Sequence, residues 1–282
     1  MGMNGWLVQD IEALSMTAQG KTRRRLLPGL RVADGFTRHP FDEEFGMRTS
    51  GLVAGRHLKS GHQHDRHATA YYGVAPSVLH ALLRRWQRSR PTAPIEHYSF
   101  IDLGAGMGRA VLLASQLPFR QVTGVELNPT LVRIARRNLT AWRSAGLALS
   151  PMKMICCDAV EFPLPAGPCL AFLFNPFGAT VMRRLLKAWG RSLAEPGRQL
   201  DLIYVNNEQE HVLESVLGRR AGAARLFLGQ IRRSQVDAIA DHRILANQPE
   251  GEYASSNVED CSIWHLEKPG RDLGAEIKTN RR

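Results

Sequence analysis

Phe100-Ile101-Asp102-Leu103-Gly104-Ala105-Gly106-Met107-Gly108-Arg109 is the stretch that decides how this chain folds. Phe100 to Leu103 continue an apolar run with the length of a buried strand. Gly104, Gly106 and Gly108 then make a turn, and Ala110 to Ala114 open a helix. A glycine turn between strand and helix lets a ligand approach bare backbone.

Outward from this stretch, strands and helices alternate. Pro76 begins a helix with Leu79, Leu82, Leu83 and Trp86 on one face and Arg84, Arg85, Arg88 and Arg90 largely on the other. Strands are predicted at 97–103, 120–125, 152–157, 169–174 and 199–205, with two more at 223–231 and 259–266. Asn128 reads as an N-cap and Pro129 as the first residue of a helix carrying Leu131, Ile134, Ala135, Leu139 and Trp142; another helix spans about 179–193. The alternation predicts an α/β fold, a mostly parallel seven-stranded sheet with helices on both faces. Ligands of such sheets bind beyond the carboxyl ends of the strands.

Polar residues gather at those ends: Asp102, Glu126, Asp158 and Asn175 close four successive predicted strands. The glycine spacing is G-x-G-x-G, which departs from the G-x-G-x-x-G of dinucleotide folds, and no Lys-Ser or Lys-Thr follows as a P-loop requires. An acid two positions before the first glycine suits a cationic ligand group better than a pyrophosphate. Glu126 lies 22 residues after Gly104, where a carboxylate accepts both hydrogen bonds of a ribose diol, and Asp158 is placed for an adenine edge. A ribose, an adenine and a cationic amino-acid moiety together describe S-adenosylmethionine, with Asp102, Gly104, Gly106, Gly108, Glu126 and Asp158 as its binding residues.

Asp102-Leu103-Gly104-Ala105-Gly106-Met107-Gly108 also resembles the first motif of class I S-adenosylmethionine-dependent methyltransferases. The resemblance covers about residues 70–266 and implies a Rossmann-like class I methyltransferase fold. It implies a lid segment over 1–70, a cofactor-binding domain over 71–268 and a basic tail over 269–282. Phe41-Asp42-Glu43-Glu44-Phe45-Gly46-Met47-Arg48-Thr49-Ser50-Gly51 and Tyr72 to Pro76 are similar to segments of a bacterial methyltransferase family of largely unassigned substrate. A more distant likeness is to the non-SET histone-lysine methyltransferases. This implies that Thr49 and Gly51 border the cofactor and that Tyr72 borders the reacting atoms. Asn175-Pro176-Phe177 is similar to the (Asp/Asn)-Pro-Pro-(Tyr/Phe) motif of amino-methyltransferases, with one proline fewer. It implies a catalytic set of Asn175, Pro176, Phe177 and Tyr72, in which an amide oxygen and a backbone carbonyl accept hydrogen bonds from the target amine.

The residues before position 70 carry less pattern. A short helix is expected over 6–18, a basic run at Lys21 to Arg25, and irregular chain over 26–70. On its own chemistry, Phe41 to Gly51 reads as a surface loop pinned by Phe41 and Phe45. His62-Gln63-His64-Asp65-Arg66-His67 approaches a metallohydrolase signature, but Asp65 and Arg66 stand in the wrong order and no other carboxylate completes a site, so no metal is expected.

Among 282 residues, 44% are hydrophobic, which fits a folded core, and the net charge of +11 favours an anionic partner. Cys156, Cys157, Cys169 and Cys261 show no C-x-x-C spacing and read as reduced core residues of a cytoplasmic protein. No secretory leader and no apolar run of membrane-spanning length is found, so no membrane partner is expected. The expected function is a methyltransferase using S-adenosylmethionine, with an unidentified acceptor among protein, nucleic acid or small molecules and an amine nitrogen preferred. The alternative is a nucleic-acid-binding protein or RNA methyltransferase on the same fold that uses the basic surface.

Overall fold

The computed structural model describes residues 38–89, 91–195, 197–218, 222–246 and 256–267, all within the compact unit Gly35–Arg282. The helix expected at 6–18, the run Lys21 to Arg25 and the tail 269–282 lie outside them.

The central strand is β3 (Ser99–Leu103), all five residues of which are buried. The other strands of the main sheet are β4 (Gln121–Glu126), β5 (Met152–Cys156), β6 (Pro168–Phe174), β7 (Gln199–Val205), β8 (Ala223–Arg232) and β9 (Val258–Glu267). A separate antiparallel pair, β1 (Leu52–Val53) and β2 (Tyr71–Tyr72), precedes them. The seven strands lie in the order β5-β4-β3-β6-β7-β9-β8. β9 alone runs antiparallel to its neighbours β7 and β8; the other described pairings are parallel. The fold is therefore a Rossmann-like, mostly parallel α/β sheet, as the alternation predicts. The chain winds from β3 outward to β5, then returns to β6 on the opposite side of β3. That reversal opens a crevice at the carboxyl ends of β3 and β6.

Buried parallel strands read as continuous apolar runs because helices cover both faces. On one face, α2 (Pro76–Arg88), α3 (Arg109–Ala114) and α4 (Pro129–Ser144) pack Trp86, Trp142, Val111 and Leu139 against Phe100 and Phe172. On the other, α5 (Ala179–Ser192) and α6 (Glu210–Leu217) pack Leu185, Trp189 and Leu213 against Ile101, Leu173 and Tyr204. α7 (Gln235–Ala246) follows β8. Each described tryptophan is buried, and each gives its indole N–H to a protein acceptor: Asp201, Ser115, Phe162 O and Glu210. Asn128 caps α4 by accepting from Thr130 N at 2.9 Å and Leu131 N at 3.2 Å, ahead of Pro129. No described helix is long and apolar enough to cross a membrane.

Three expectations need correction. Phe41 to Gly51 is not a surface loop. It forms helix α1 (Pro40–Phe45) and a tight return in which Phe41, Asp42, Met47, Thr49 and Ser50 are buried. Only two of the four cysteines are core residues: Cys169 and Cys261 are buried, but Cys156 is exposed and Cys157 half-buried, because β5 is the sheet edge. The third concerns the histidines and belongs to the site.

Candidate functional site

Gly104, Gly106 and Gly108 hold φ values of 74°, 51° and 88°, a left-handed region that side chains rarely adopt. The turn they make is anchored to the next strand. Gly104 N and Ala105 N donate to Val125 O at 2.9 and 3.0 Å, and Gly106 N donates to Glu126 Oε2 at 2.9 Å. Close packing adds a second requirement. A Cβ on Gly104 would lie 2.4 Å from Pro176 Cβ, and one on Gly106 would lie 2.1 Å from the Tyr71 ring. The glycine turn is thus pressed between β6's end and β2.

The crevice above it is lined by Gly104, Glu126, Asp158, Tyr71, Pro176 and Phe177, among others. Sequence reasoning placed all of these at the site except Tyr71. Glu126 sits with one carboxylate oxygen on Gly106 N and the other on Asn128 N at 2.8 Å. Each oxygen keeps a further lone pair, so the carboxylate can still accept two hydroxyls. Burial pushes its carboxyl above the usual range despite these bonds. Asp102 lines a smaller cavity with Tyr71, Tyr72, Gly73 and Arg109. Burial, and then the neighbouring Glu126 charge, push its carboxyl up to about 8. A buried acid under these raising influences is stabilised in its charged form when a cationic ligand group arrives beside it. The donor set therefore suits a ligand with a diol and a cationic group, and bare glycine backbone between them.

Thr49 and Gly51 stand elsewhere. Thr49 is fully buried, its hydroxyl donating to Asp42 Oδ1 at 2.5 Å and accepting from Arg109 Nε at 2.7 Å. Arg109 also donates to Gly73 O at 3.1 Å, and Asp42 accepts from both Thr49 N and Ser50 N at 2.6 Å. This is a directed relay, Arg109 to Thr49 to Asp42, that fastens the N-terminal segment to the residue after the glycine turn. Gly51, at φ 110°, continues the same return.

Tyr72 lines both cavities and a polar recess beyond them, shared with Thr69, Phe174, Asn175, Asn206 and Glu208. Its hydroxyl donates to the fully buried Asp241 at 2.5 Å, and burial followed by that carboxylate pushes the phenol far up. Asn175 and Asn206, at the ends of adjacent strands β6 and β7, hold φ of 39° and 52°. Left-handed backbone at two asparagines of one recess is strain of the kind found where a site is built. Asn175 O accepts from the Thr69 hydroxyl at 2.5 Å, Pro176 O from Thr69 N at 3.3 Å, and Gly178 N donates to His67 O at 3.0 Å. Residues 67–69 therefore lie along Asn175 to Gly178, a contact that no periodicity in the sequence announces.

The histidine run is the third correction: a carboxylate does join it, and it is Asp158. His64 Nδ1 lies 2.6 Å from Asp158 Oδ2, while His64 Nε2 faces Arg184 Nη1 at 2.8 Å. Arginine can only donate, so Nε2 accepts and the imidazole proton sits on Nδ1, facing Asp158. His62 Nδ1 accepts from His64 N–H at 3.2 Å, which places a neutral His62's proton on Nε2, 4.0 Å from the same carboxylate. His62, His64 and Asp158 have ligand atoms within 4.8 Å of one another. With the protons so placed, the three side chains form a hydrogen-bond relay onto Asp158.

Residues 101–198 match the family model described as a methyltransferase domain. A 41-residue segment is 54% identical to release factor glutamine methyltransferase of Vibrio cholerae, covering 14% of each protein. A 50-residue segment is 54% identical to the adenine nucleotide translocase lysine N-methyltransferase of Mus musculus, covering 18% of this chain and 20% of that one. The chain thus matches only a seventh to a fifth of the length of these relatives. Among solved structures, a putative RNA methyltransferase from Pyrococcus horikoshii aligns with a TM-score of 0.44 at 17% identity, over 67% of this chain and 83% of that one. A precorrin-6y C5,15-methyltransferase from Geobacter metallireducens aligns with a TM-score of 0.43 at 14% identity, over 66% and 88%.

Proposed function

We propose that the chain is a class I S-adenosylmethionine-dependent methyltransferase that transfers a methyl group to the nitrogen of an amino group on an acceptor molecule, a reading supported by the match of residues 101–198 to the methyltransferase-domain model. The carrying observation is the ordered placement of Asp102, the glycine turn, Glu126, Asp158 and Asn175 around one crevice. S-adenosylmethionine supplies a methyl group already activated by its sulfonium. What this chain must do is bind, orient and exclude water.

Glu126 takes the ribose diol, Asp158 the adenine edge, and Asp102 the amino group, with Gly104 and Gly106 allowing close backbone approach. Gly108 permits the turn into α3. Thr49 and Gly51 act at one remove, by holding β2 and Tyr71 against the turn. Tyr72, Asn175, Pro176 and Phe177 frame the recess where the acceptor nitrogen lies. The four cysteines, none in a disulfide, support a cytoplasmic setting.

Calorimetry with S-adenosylhomocysteine tests the reading. Binding by folded protein, lost in Glu126→Ala, is expected; no binding would overturn it. Incubation of methyl-labelled cofactor with fractionated cell extract then identifies the acceptor.

A second reading, an RNA methyltransferase, is supported by the outer faces of α4 and α5. Arg133, Arg136, Arg137 and Arg143 are exposed on the first, Arg183, Arg184, Lys187 and Arg191 on the second, and neither helix carries an acidic residue. RNA retention that falls steeply with salt would favour it, and a flat response would count against phosphate contacts.

A further inference from the structure

Asn206 follows the last residue of β7. Phe174 of β6 and Val205 of β7 are partners in the parallel register, so Asn175 and Asn206 leave the sheet side by side, from strands about 4.8 Å apart. Both line the recess. At φ 52°, Asn206 holds a turn that glycine would make without steric cost. An asparagine kept only for such a turn commonly bonds its side chain to neighbouring backbone. This turn is closed by backbone instead: Glu208 N donates to Asn206 O at 2.8 Å, and Asn207 N to Asp260 O at 3.3 Å. The Asn206 side-chain amide has no hydrogen-bond partner among the described residues, and it is not sealed from solvent.

The amino-methyltransferase motif gives the substrate's hydrogen bonds to the Asn175 amide and a nearby backbone carbonyl. In this chain those groups already have protein partners. The Asn175 side chain meets the Tyr204 hydroxyl at 3.1 Å. The carbonyls of Asn175 and Pro176 accept from the Thr69 hydroxyl at 2.5 Å and from Thr69 N at 3.3 Å. Asn206 stands one strand over with its amide uncommitted. The recess shares Thr69, Ala70, Tyr72 and Phe174 with the cofactor crevice, but Asn206 lines neither that crevice nor the cavity of Asp102. Its amide is therefore placed for a molecule that meets the cofactor from the recess side, and not for the cofactor itself.

We propose that Asn206 is an acceptor-binding residue: its side-chain oxygen takes a hydrogen bond from the amino group being methylated and holds that nitrogen's lone pair toward the sulfonium methyl carbon. The proposal rests on the methyltransferase reading and names a residue of its acceptor site that the Asn175 motif does not contain. No bond among the described residues fixes the amide, so its oxygen can turn to the amine. As the N–C bond forms, the C–S bond breaks and its electron pair stays on sulfur. The neutral amine becomes an alkylammonium that keeps its protons through the step, and Asn206 takes none. Its oxygen meets the positive charge that builds on the N–H groups, and the exposed Glu208 carboxylate at the mouth acts in the same sense.

The test compares full-length wild type, Asn206→Gly and Asn206→Asp for transfer of label from methyl-labelled cofactor into fractionated cell extract. Glycine and aspartate both suit φ 52°, so both variants should melt close to the wild type. Asn206→Gly should bind S-adenosylhomocysteine with unchanged affinity in calorimetry, yet transfer label slower by about tenfold or more. Asn206→Asp should keep most of the transfer, because a carboxylate oxygen accepts the same N–H bond. Wild-type transfer by Asn206→Gly, equal losses in the two variants, or loss of S-adenosylhomocysteine binding in either overturns the proposal. A wild type that labels no fraction defeats the methyltransferase reading instead, and the proposal with it.

Discussion

The ring of Tyr71 lies on Gly106 so closely that a single methyl at Gly106 would come within 2.1 Å of it. The contact sets β2 against the glycine turn, with the Tyr71 hydroxyl donating to Thr49 O at 2.7 Å. Gly106→Ala meets both the ring and a backbone φ of 51°. Left-handed backbone costs roughly 1–2 kcal/mol and overpacking about 1–3 more. The variant should melt several degrees lower and bind S-adenosylhomocysteine weakly or not at all. Adding Tyr71→Ala should recover part of the melting temperature by removing the clash; unchanged melting in the double variant would mean that the ring is not the obstacle.

Asp102 makes binding depend on pH. Its folded-state carboxyl is pushed up to about 8, against roughly 3.9 for a free side chain. Between those values the unfolded chain has lost the proton that the folded protein keeps, so stability falls as pH rises and levels off above about 8. A cationic amino group favours the ionised acid, so binding releases a proton across that same window. Affinity for S-adenosylhomocysteine should rise toward pH 8 by up to about tenfold per unit, then flatten. Calorimetry in buffers of different ionisation heat should show the released proton in the wild type and none in Asp102→Asn.

The sheet was legible because its central parallel strands β3, β6 and β7 are buried on both faces and read as largely apolar runs, and because Asn128-Pro129 announces the helix after β4. Glu126, Asp158 and Asn175 were legible for the same reason, since strand ends can be counted. Tyr71 was not. Its role depends on a two-residue strand pairing with Leu52–Val53, too short to leave a period in the sequence. The burial of Asp42 was missed because an acid beside Glu43 and Glu44 reads as solvated. Its partners are hydroxyls and backbone seven and eight positions on, gathered by a tight return. His64 meeting Asp158 spans 94 positions, and only the path of the chain across the crevice brings them together.

Asp42 carries a stability prediction. It accepts from Thr49 N, Thr49 Oγ1, Ser50 N and Ser50 Oγ at 2.5 to 2.7 Å, and it balances Arg109 through those hydroxyls. Removing one member of such a buried charged network costs about 3–5 kcal/mol. Asp42→Ala should lose stability on that scale in urea unfolding. Asp42→Asn should also lose much of it, because its NH2 would face donors. A loss under about 1 kcal/mol in either would show that the relay is not what fastens α1 to the glycine turn.

His64 should act on the cofactor through Asp158. With Nε2 held by Arg184 and Nδ1–H given to Asp158, it fixes the carboxylate proposed to meet the adenine edge, and Val160 N holds the other oxygen at 3.0 Å. A hydrogen bond to a charged group contributes about 1.5–3 kcal/mol, so His64→Ala should weaken S-adenosylhomocysteine binding by roughly ten- to a hundredfold. Arg184→Ala should have a smaller effect in the same direction, because it acts only on the tautomer of His64. If the three side chains serve only as this relay, equimolar zinc leaves the melting temperature unchanged. A rise in melting temperature with zinc that disappears in His62→Ala would reverse it, and the three side chains would then be a metal site over the adenine end of the crevice.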